Sequence, residues 1–81
     1  MKKEYLIKLI NEGHEIEFEY KGKNYSICYG VIDGIEVISF CEFNKDSKEV
    51  ATIDELLTMH YNDFIVQDIL EDINENSLWI Y

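Results

Sequence analysis

Two turn dipeptides, Lys21-Gly22 and Asp33-Gly34, constrain this chain more tightly than any other feature of it. Around them the apolar residues recur with period two. Ile16, Phe18 and Tyr20 alternate with Glu15, Glu17 and Glu19, and Tyr25, Ile27 and Tyr29 continue the alternation beyond Lys21-Gly22. Such a pattern marks half-buried strands. Asp33-Gly34 is the stronger turn signal, because both central positions of a type I′ turn need positive φ. A third strand, Ile35 to Phe43, follows it. If each dipeptide forms a two-residue turn, the first hairpin sets Phe18 opposite Tyr25 and Ile16 opposite Ile27. The second sets Tyr29 opposite Ile38 and Ile27 opposite Phe40. Directly opposed residues share a face. Both hairpins thus place Ile16, Phe18, Tyr25, Ile27, Tyr29, Ile38 and Phe40 on one side, an agreement that neither turn imposes alone. The reverse side collects Glu15, Glu17, Glu19, Asn24, Ser26, Cys28, Val37, Ser39 and Cys41, and is expected to face water.

The segments around this meander read as helices. Tyr5, Leu6, Leu9 and Ile10 recur at helical spacing over residues 2–12, and Gly13 suits a left-handed C-cap. Lysines early in that helix oppose its dipole, so its first turn is expected to fray. Asn44 to Ser47 is a polar turn, and Lys48 to Ala51 is a candidate fourth strand. Thr52 and Glu55 have the spacing of a capping box, and Leu56 and Leu57 carry a short helix from it toward His60 or Tyr61. Asn62-Asp63 interrupts that helix. A last helix, Phe64 to Asn74, gathers Ile65, Val66, Ile69, Leu70 and Ile73 on one arc. The tail Ser77 to Tyr81, centred on Trp79, is expected to be pinned to the core. The expected fold is α+β: an N-terminal helix, an antiparallel three- or four-stranded meander, and two C-terminal helices packed on one face of the sheet.

Eighty-one residues correspond to a single domain, 1–81. Apolar residues at 47% supply a core, which argues against disorder despite a net charge of −10. Neither a signal peptide nor a stretch of roughly 20 apolar residues is visible, so a cytoplasmic protein with no membrane partner is expected. Two cysteines are too few for a disulfide framework.

The charges are distributed unevenly. All seven lysines lie at or before Lys48, arginine is absent, and eight carboxylates follow from Glu49 to Glu75. A block of one sign repels nucleic acid and anionic lipid and attracts basic protein surfaces. Direct nucleic-acid binding is disfavoured because that affinity rests on cations meeting phosphates. Lys21, Lys23, Lys45 and Lys48 are the one grouping that runs the other way, since both of their turns can lie at one end of the sheet. The four glycines have no phosphate-loop spacing, and the acidic last helix lacks a calcium-loop motif. No cofactor and no metal site are expected. Glu12 and Glu15 beside His14 are neighbours that a carboxylate-rich strand supplies by chance.

Within the last helix Asp68, Glu71, Asp72 and Glu75 fall at i, i+3, i+4 and i+7, which stacks them on one stripe. Like charges at that spacing cost the helix a few tenths of a kcal/mol each, and no lysine is interleaved to offset them. Successive helical turns are about 5.4 Å apart, so the stripe crudely imitates a run of phosphates. Phe64 falls in the same sector, where it is either a contact anchor or packs on the preceding helix. The candidate partner-binding residues are therefore Asp68, Glu71, Asp72, Glu75 and Phe64. Glu15, Glu17 and Glu19 form a second acidic row, whose simplest role is to keep another chain from pairing with an edge strand.

The run Glu15 to Ile27, the stretch Thr52 to Leu57 and the end Asp68 to Ile73 resemble short uncharacterised proteins of low-GC Gram-positive bacteria and their mobile elements. The order of helix, meander and two helices, with small size and acidity, also resembles phage anti-CRISPR proteins. That second resemblance implies an inhibitor that imitates nucleic acid on a basic protein surface. The expected function is a non-enzymatic acidic protein-binding module that docks on a basic, nucleic-acid-binding protein, acting as monomer or homodimer. The alternative is a small catalytic or ligand-binding domain on the outer sheet face near Cys28, Cys41 and His14, with a thiol as nucleophile.

Overall fold

A computed structural model describes residues 1–81. The chain runs α1 (Lys3–Asn11), β1 (Ile16–Tyr20), β2 (Lys23–Ile32), β3 (Ile35–Glu42), β4 (Lys48–Val50), α2 (Ile53–Thr58), β5 (His60–Tyr61), β6 (Phe64–Ile65), α3 (Val66–Asp72), a 3₁₀ turn (Glu75–Ser77) and β7 (Trp79–Ile80). The fold is α+β. Its main sheet is antiparallel with the order β4-β3-β2-β1-β7, and β5 and β6 form a separate small hairpin.

Both tight turns have the expected backbone: Lys21 and Gly22 at φ 50 and 80, Asp33 and Gly34 at φ 53 and 80. The registers follow from them. Phe18 faces Tyr25, Ile16 faces Ile27, Tyr29 faces Ile38 and Ile27 faces Phe40. The inner sheet face then meets Leu6, Leu9 and Ile10 of α1, Leu56 and Leu57 of α2, and Val66, Ile69 and Leu70 of α3 in one buried cluster.

At the centre of that cluster lies an aromatic group. Phe18 stacks on Tyr25 with ring centroids 5.6 Å apart, and Phe40 meets Tyr61 edge-on at 5.0 Å. Tyr61 is buried, so its hydroxyl needs partners. It accepts from the Glu42 N–H at 2.9 Å and donates to the Asp46 carbonyl at 3.0 Å. One phenol thus ties the β5–β6 hairpin to the end of β3 and the turn beyond it.

The helix ends are satisfied by local chemistry. Gly13, at φ 80, donates to Ile10 O while His14 donates to Leu9 O, a Schellman pair closing α1. The Thr52 hydroxyl accepts from the Glu55 N–H at 3.1 Å and donates to the Glu55 carboxylate at 3.3 Å. The expected capping box is therefore present, with its return leg reaching the hydroxyl rather than the Thr52 N–H.

Several expectations are corrected. The sheet has five strands, because the C-terminal tail pairs with β1, Ile80 facing Ile16 and Trp79 facing Glu17. The tail is held at an edge by its backbone, Leu78 packs against the core as expected, and Trp79, Ile80 and Tyr81 stay exposed. Glu15 and Glu17 consequently lie one strand in from that edge, while Glu19 lies beyond the end of β7. The first turn of α1 is tethered rather than left to fray: the Met1 amino group donates to Leu70 O and Ile73 O, where a cation suits the C-terminal end of α3. Tyr29 points to the inner side but is 41% exposed, since β2 and β3 project beyond β1 and β4 there. The last helix does not start at Phe64, because Phe64–Ile65 pairs with His60–Tyr61 instead. It ends at Asp72, after which Ile73 is extended and the Asn74 side chain accepts from the Asn76 N–H at 2.8 Å to cap the 3₁₀ turn.

Removing the Tyr61 hydroxyl tests that tie. Tyr61→Phe should lower stability by about 1–3 kcal/mol, because the Glu42 N–H loses its partner. Urea unfolding should show a lower midpoint at an unchanged slope; an unmoved midpoint would mean that water replaces the phenol at no cost.

Candidate functional site

Asp68, Glu71 and Asp72 are exposed on α3, as the spacing requires. The other two candidates of that stripe fall elsewhere. Glu75 belongs to the 3₁₀ turn, and its carboxylate accepts from the Lys2 backbone N–H at 2.9 Å. Phe64 is half-buried, 5.6 Å from the Tyr25 ring in an edge-on contact, so it packs into the core instead of standing as an anchor among carboxylates. The stripe is thus about one turn long.

It also has cations across from it. Glu71 and Glu75 share a cleft of about 630 Å³ with Lys2 and Lys3 between α1 and α3. Asp68 lines a second cleft with Lys21 and Lys23. Lys23, Lys45 and Lys48 line a third with Glu42 and Asp46. The four turn lysines do gather at one end of the sheet, on its helical side. Only one lysine forms an ion pair, Lys3 with Asp54 at 3.0 Å. Lys48 donates instead to the His60 carbonyl at 2.9 Å.

The outer face of the sheet differs from this. Alternation assigns it Glu15, Glu17 and Glu19 from β1, Asn24, Ser26, Cys28 and Ile32 from β2, Ile35, Val37, Ser39 and Cys41 from β3, Glu49 from β4, and Trp79 and Tyr81 from the tail. No lysine projects from it: Lys23 and Lys48 sit opposite Tyr20 and Phe40 on the inner side. No helix covers it either. Its middle is of small residues and half-buried thiols, with Ser26 Oγ 3.2 Å from Cys41 Sγ. Along one margin Glu17 lies opposite Trp79, and Glu15 exchanges backbone hydrogen bonds with Tyr81 at 2.9 and 3.3 Å. Trp79 is 54% exposed and Tyr81 65%. Trp79, Tyr81, Phe43, Glu17 and Asn24, with the buried Phe18, line a small open cleft of about 180 Å³.

The electrostatics of this margin are strained. A hydrogen bond with Glu15 is the main influence raising the Glu17 carboxyl above its ordinary value; partial burial adds to it, and the Tyr81 phenol opposes it. Tyr81 is raised in turn, chiefly by the Glu17 charge. The Cys28 thiol is pushed up by burial first and by the Glu15 charge second. That holds the thiol protonated, the opposite of what a nucleophile needs. His14 does not serve it: its Nδ1 lies 2.8 Å from the Tyr81 main-chain oxygen and its Nε2 3.4 Å from Glu12. His60 belongs to β5, in the layer on the other side of the sheet.

Comparison with protein-family models, curated proteins and solved structures finds no match to this chain. The aromatic members of the cleft escaped sequence reasoning. The signal for them was the short alternation Trp79-Ile80-Tyr81, a strand signature once Ile80 is set against Ile16.

The raised Glu17 pKa has a stability consequence. The folded state holds that proton more tightly than the unfolded chain, so it binds more protons across the carboxylate range. The Glu17 contribution then disfavours folding progressively as pH rises through that range. Glu17→Gln should melt above the unsubstituted chain at pH 7, and the two should converge below roughly pH 4, where the carboxyl is protonated. Thermal melts at both pH values check this; equal melting temperatures at pH 7 would refute the linkage.

Proposed function

We propose that this chain is a non-catalytic binding module that docks on a basic protein surface through the uncovered face of its sheet. One observation carries the reading: that face has carboxylates and exposed aromatic rings but no lysine, while the chain's cations lie on the helical side or in the turns beside it. A surface of one sign steers oppositely charged partners, and apolar rings within it add contact area once water is expelled. The α3 carboxylates extend the acidic field around the molecule, but lysines lie across the clefts from Asp68, Glu71 and Glu75, which makes α3 the lesser surface. The reading accommodates an inhibitor encoded by a phage or mobile element. A target surface built to meet phosphates would then be occupied by carboxylates. The raised Cys28 thiol gives no support to the catalytic alternative. No helix is long and apolar enough to cross a membrane.

Two variants of equal net charge test the reading. Glu15, Glu17 and Glu19 are changed to Gln in one; in the other Asp68 and Asp72 become Asn and Glu71 becomes Gln. Each is used as bait in a lysate of the source organism. The sheet-face variant should lose about tenfold or more of its captured protein, the α3 variant much less, and the captured protein should be basic and released by salt on the order of 0.5 M. Undiminished capture by the sheet-face variant would refute the proposal.

A further inference from the structure

The cleft at the margin of the open face is built for a particular side chain. At about 180 Å³ it is well below the roughly 300–1,000 Å³ of a small-molecule pocket and has room for a single side chain. Its aromatic lining is the exposed Trp79, Tyr81 and Phe43 together with the buried Phe18, and its polar groups are the Glu17 carboxylate and the Asn24 amide. An apolar occupant would cover Glu17 without pairing it, which is costly. An anionic occupant would be repelled by Glu17 and by Glu15 beside it. A cation satisfies both parts of the cleft, because ring faces attract positive charge and the carboxylate pairs with it. Between the two cationic side chains, the planar, weakly hydrated guanidinium both stacks on rings and meets a carboxylate with two parallel N–H bonds, whereas a lysine ammonium does neither as well.

We propose that this cleft receives an arginine side chain of the partner, its guanidinium stacked against Trp79 and Tyr81 and paired with the Glu17 carboxylate. The inference rests on the docking reading above and names the group recognised. A second copy of this chain is not the occupant, since the sequence contains no arginine. The neighbouring rung, Glu15 beside Tyr81, repeats the carboxylate–aromatic pairing two residues along the strand, roughly 6.8 Å away. Arginines at alternate positions of an extended segment match that spacing. Pairing with a guanidinium also relieves the repulsion between Glu15 and Glu17.

Trp79 is the only tryptophan, so its fluorescence reports on the cleft directly. The 81-residue protein is titrated with the peptide acetyl-Gly-Arg-Gly-Arg-Gly-amide and with its counterpart carrying citrulline, a neutral isostere, at both arginines. The expected result is a saturable change in Trp79 emission with the arginine peptide and at least about tenfold weaker binding of the citrulline peptide. Glu17→Gln should lose about tenfold, whereas Asp72→Asn, which removes one equal charge from α3, should stay within about twofold. No saturable response, equal binding of the two peptides, or equal losses in the two variants would each overturn the inference. If the arginine response fails while lysate capture still depends on Glu15, Glu17 and Glu19, the cleft assignment falls and the docking reading stands; if capture is also indifferent to them, both fall.

Discussion

The sidedness of the sheet governs this molecule. Two type I′ turns set the strand register, and register decides which side of a pleated sheet each residue occupies. With Ile16, Phe18, Tyr25, Ile27, Ile38 and Phe40 committed to one side, every helix has its apolar surface to bury there and none elsewhere. A slip of one residue would exchange the faces, setting a row of glutamates against the helices. The helical layer and the acidic open face are therefore two results of one constraint, as are the burial of Tyr61 and the two hydrogen bonds that hold its hydroxyl.

Charge follows the same division. Lysines are confined to α1, to the turns, and to inner-side positions near the sheet's end, so the helical side is acidic but mixed. The outer side has no compensation. The effect shows in Glu17, whose carboxyl is raised above its ordinary value chiefly by a hydrogen bond with Glu15, and in Tyr81, whose phenol is raised chiefly by the Glu17 charge. A chain under selection for stability alone could relieve this with one lysine on that face. On the proposed docking reading, a cationic partner supplies the missing charge. Desolvating both charges costs energy, and a proposed carboxylate–guanidinium contact offsets that cost because the covered cleft lowers the dielectric around the pair.

How much of this was legible beforehand can be traced residue by residue. The hairpin pairs, the inward residues of β1–β3, the Gly13 cap and the Thr52–Glu55 box all depend on neighbours close in sequence, and periodicity and turn chemistry report such neighbours faithfully. Phe64 was misplaced because a helical wheel treats it as part of α3. In the fold, two residues on each side of Asn62-Asp63 pair as strands, and the ring turns into the aromatic cluster. Glu75 was misplaced for a related reason. Asn74 offers its own side chain to the backbone, and that local cap ends the helical spacing of the stripe.

The sequence by itself determined the class of the fold, the two faces of the meander and the excess of carboxylates, since each is carried by local periodicity or by composition. Only the tertiary structure decided where the tail goes. Trp79 and Tyr81 are some sixty residues from Glu17 and Glu15 along the chain, and a two-residue strand has no periodicity strong enough to announce its partner. Its place is set by the free edge of β1, which the helices leave open. That edge brings aromatic rings beside carboxylates, and so gives the acidic face a shaped cleft.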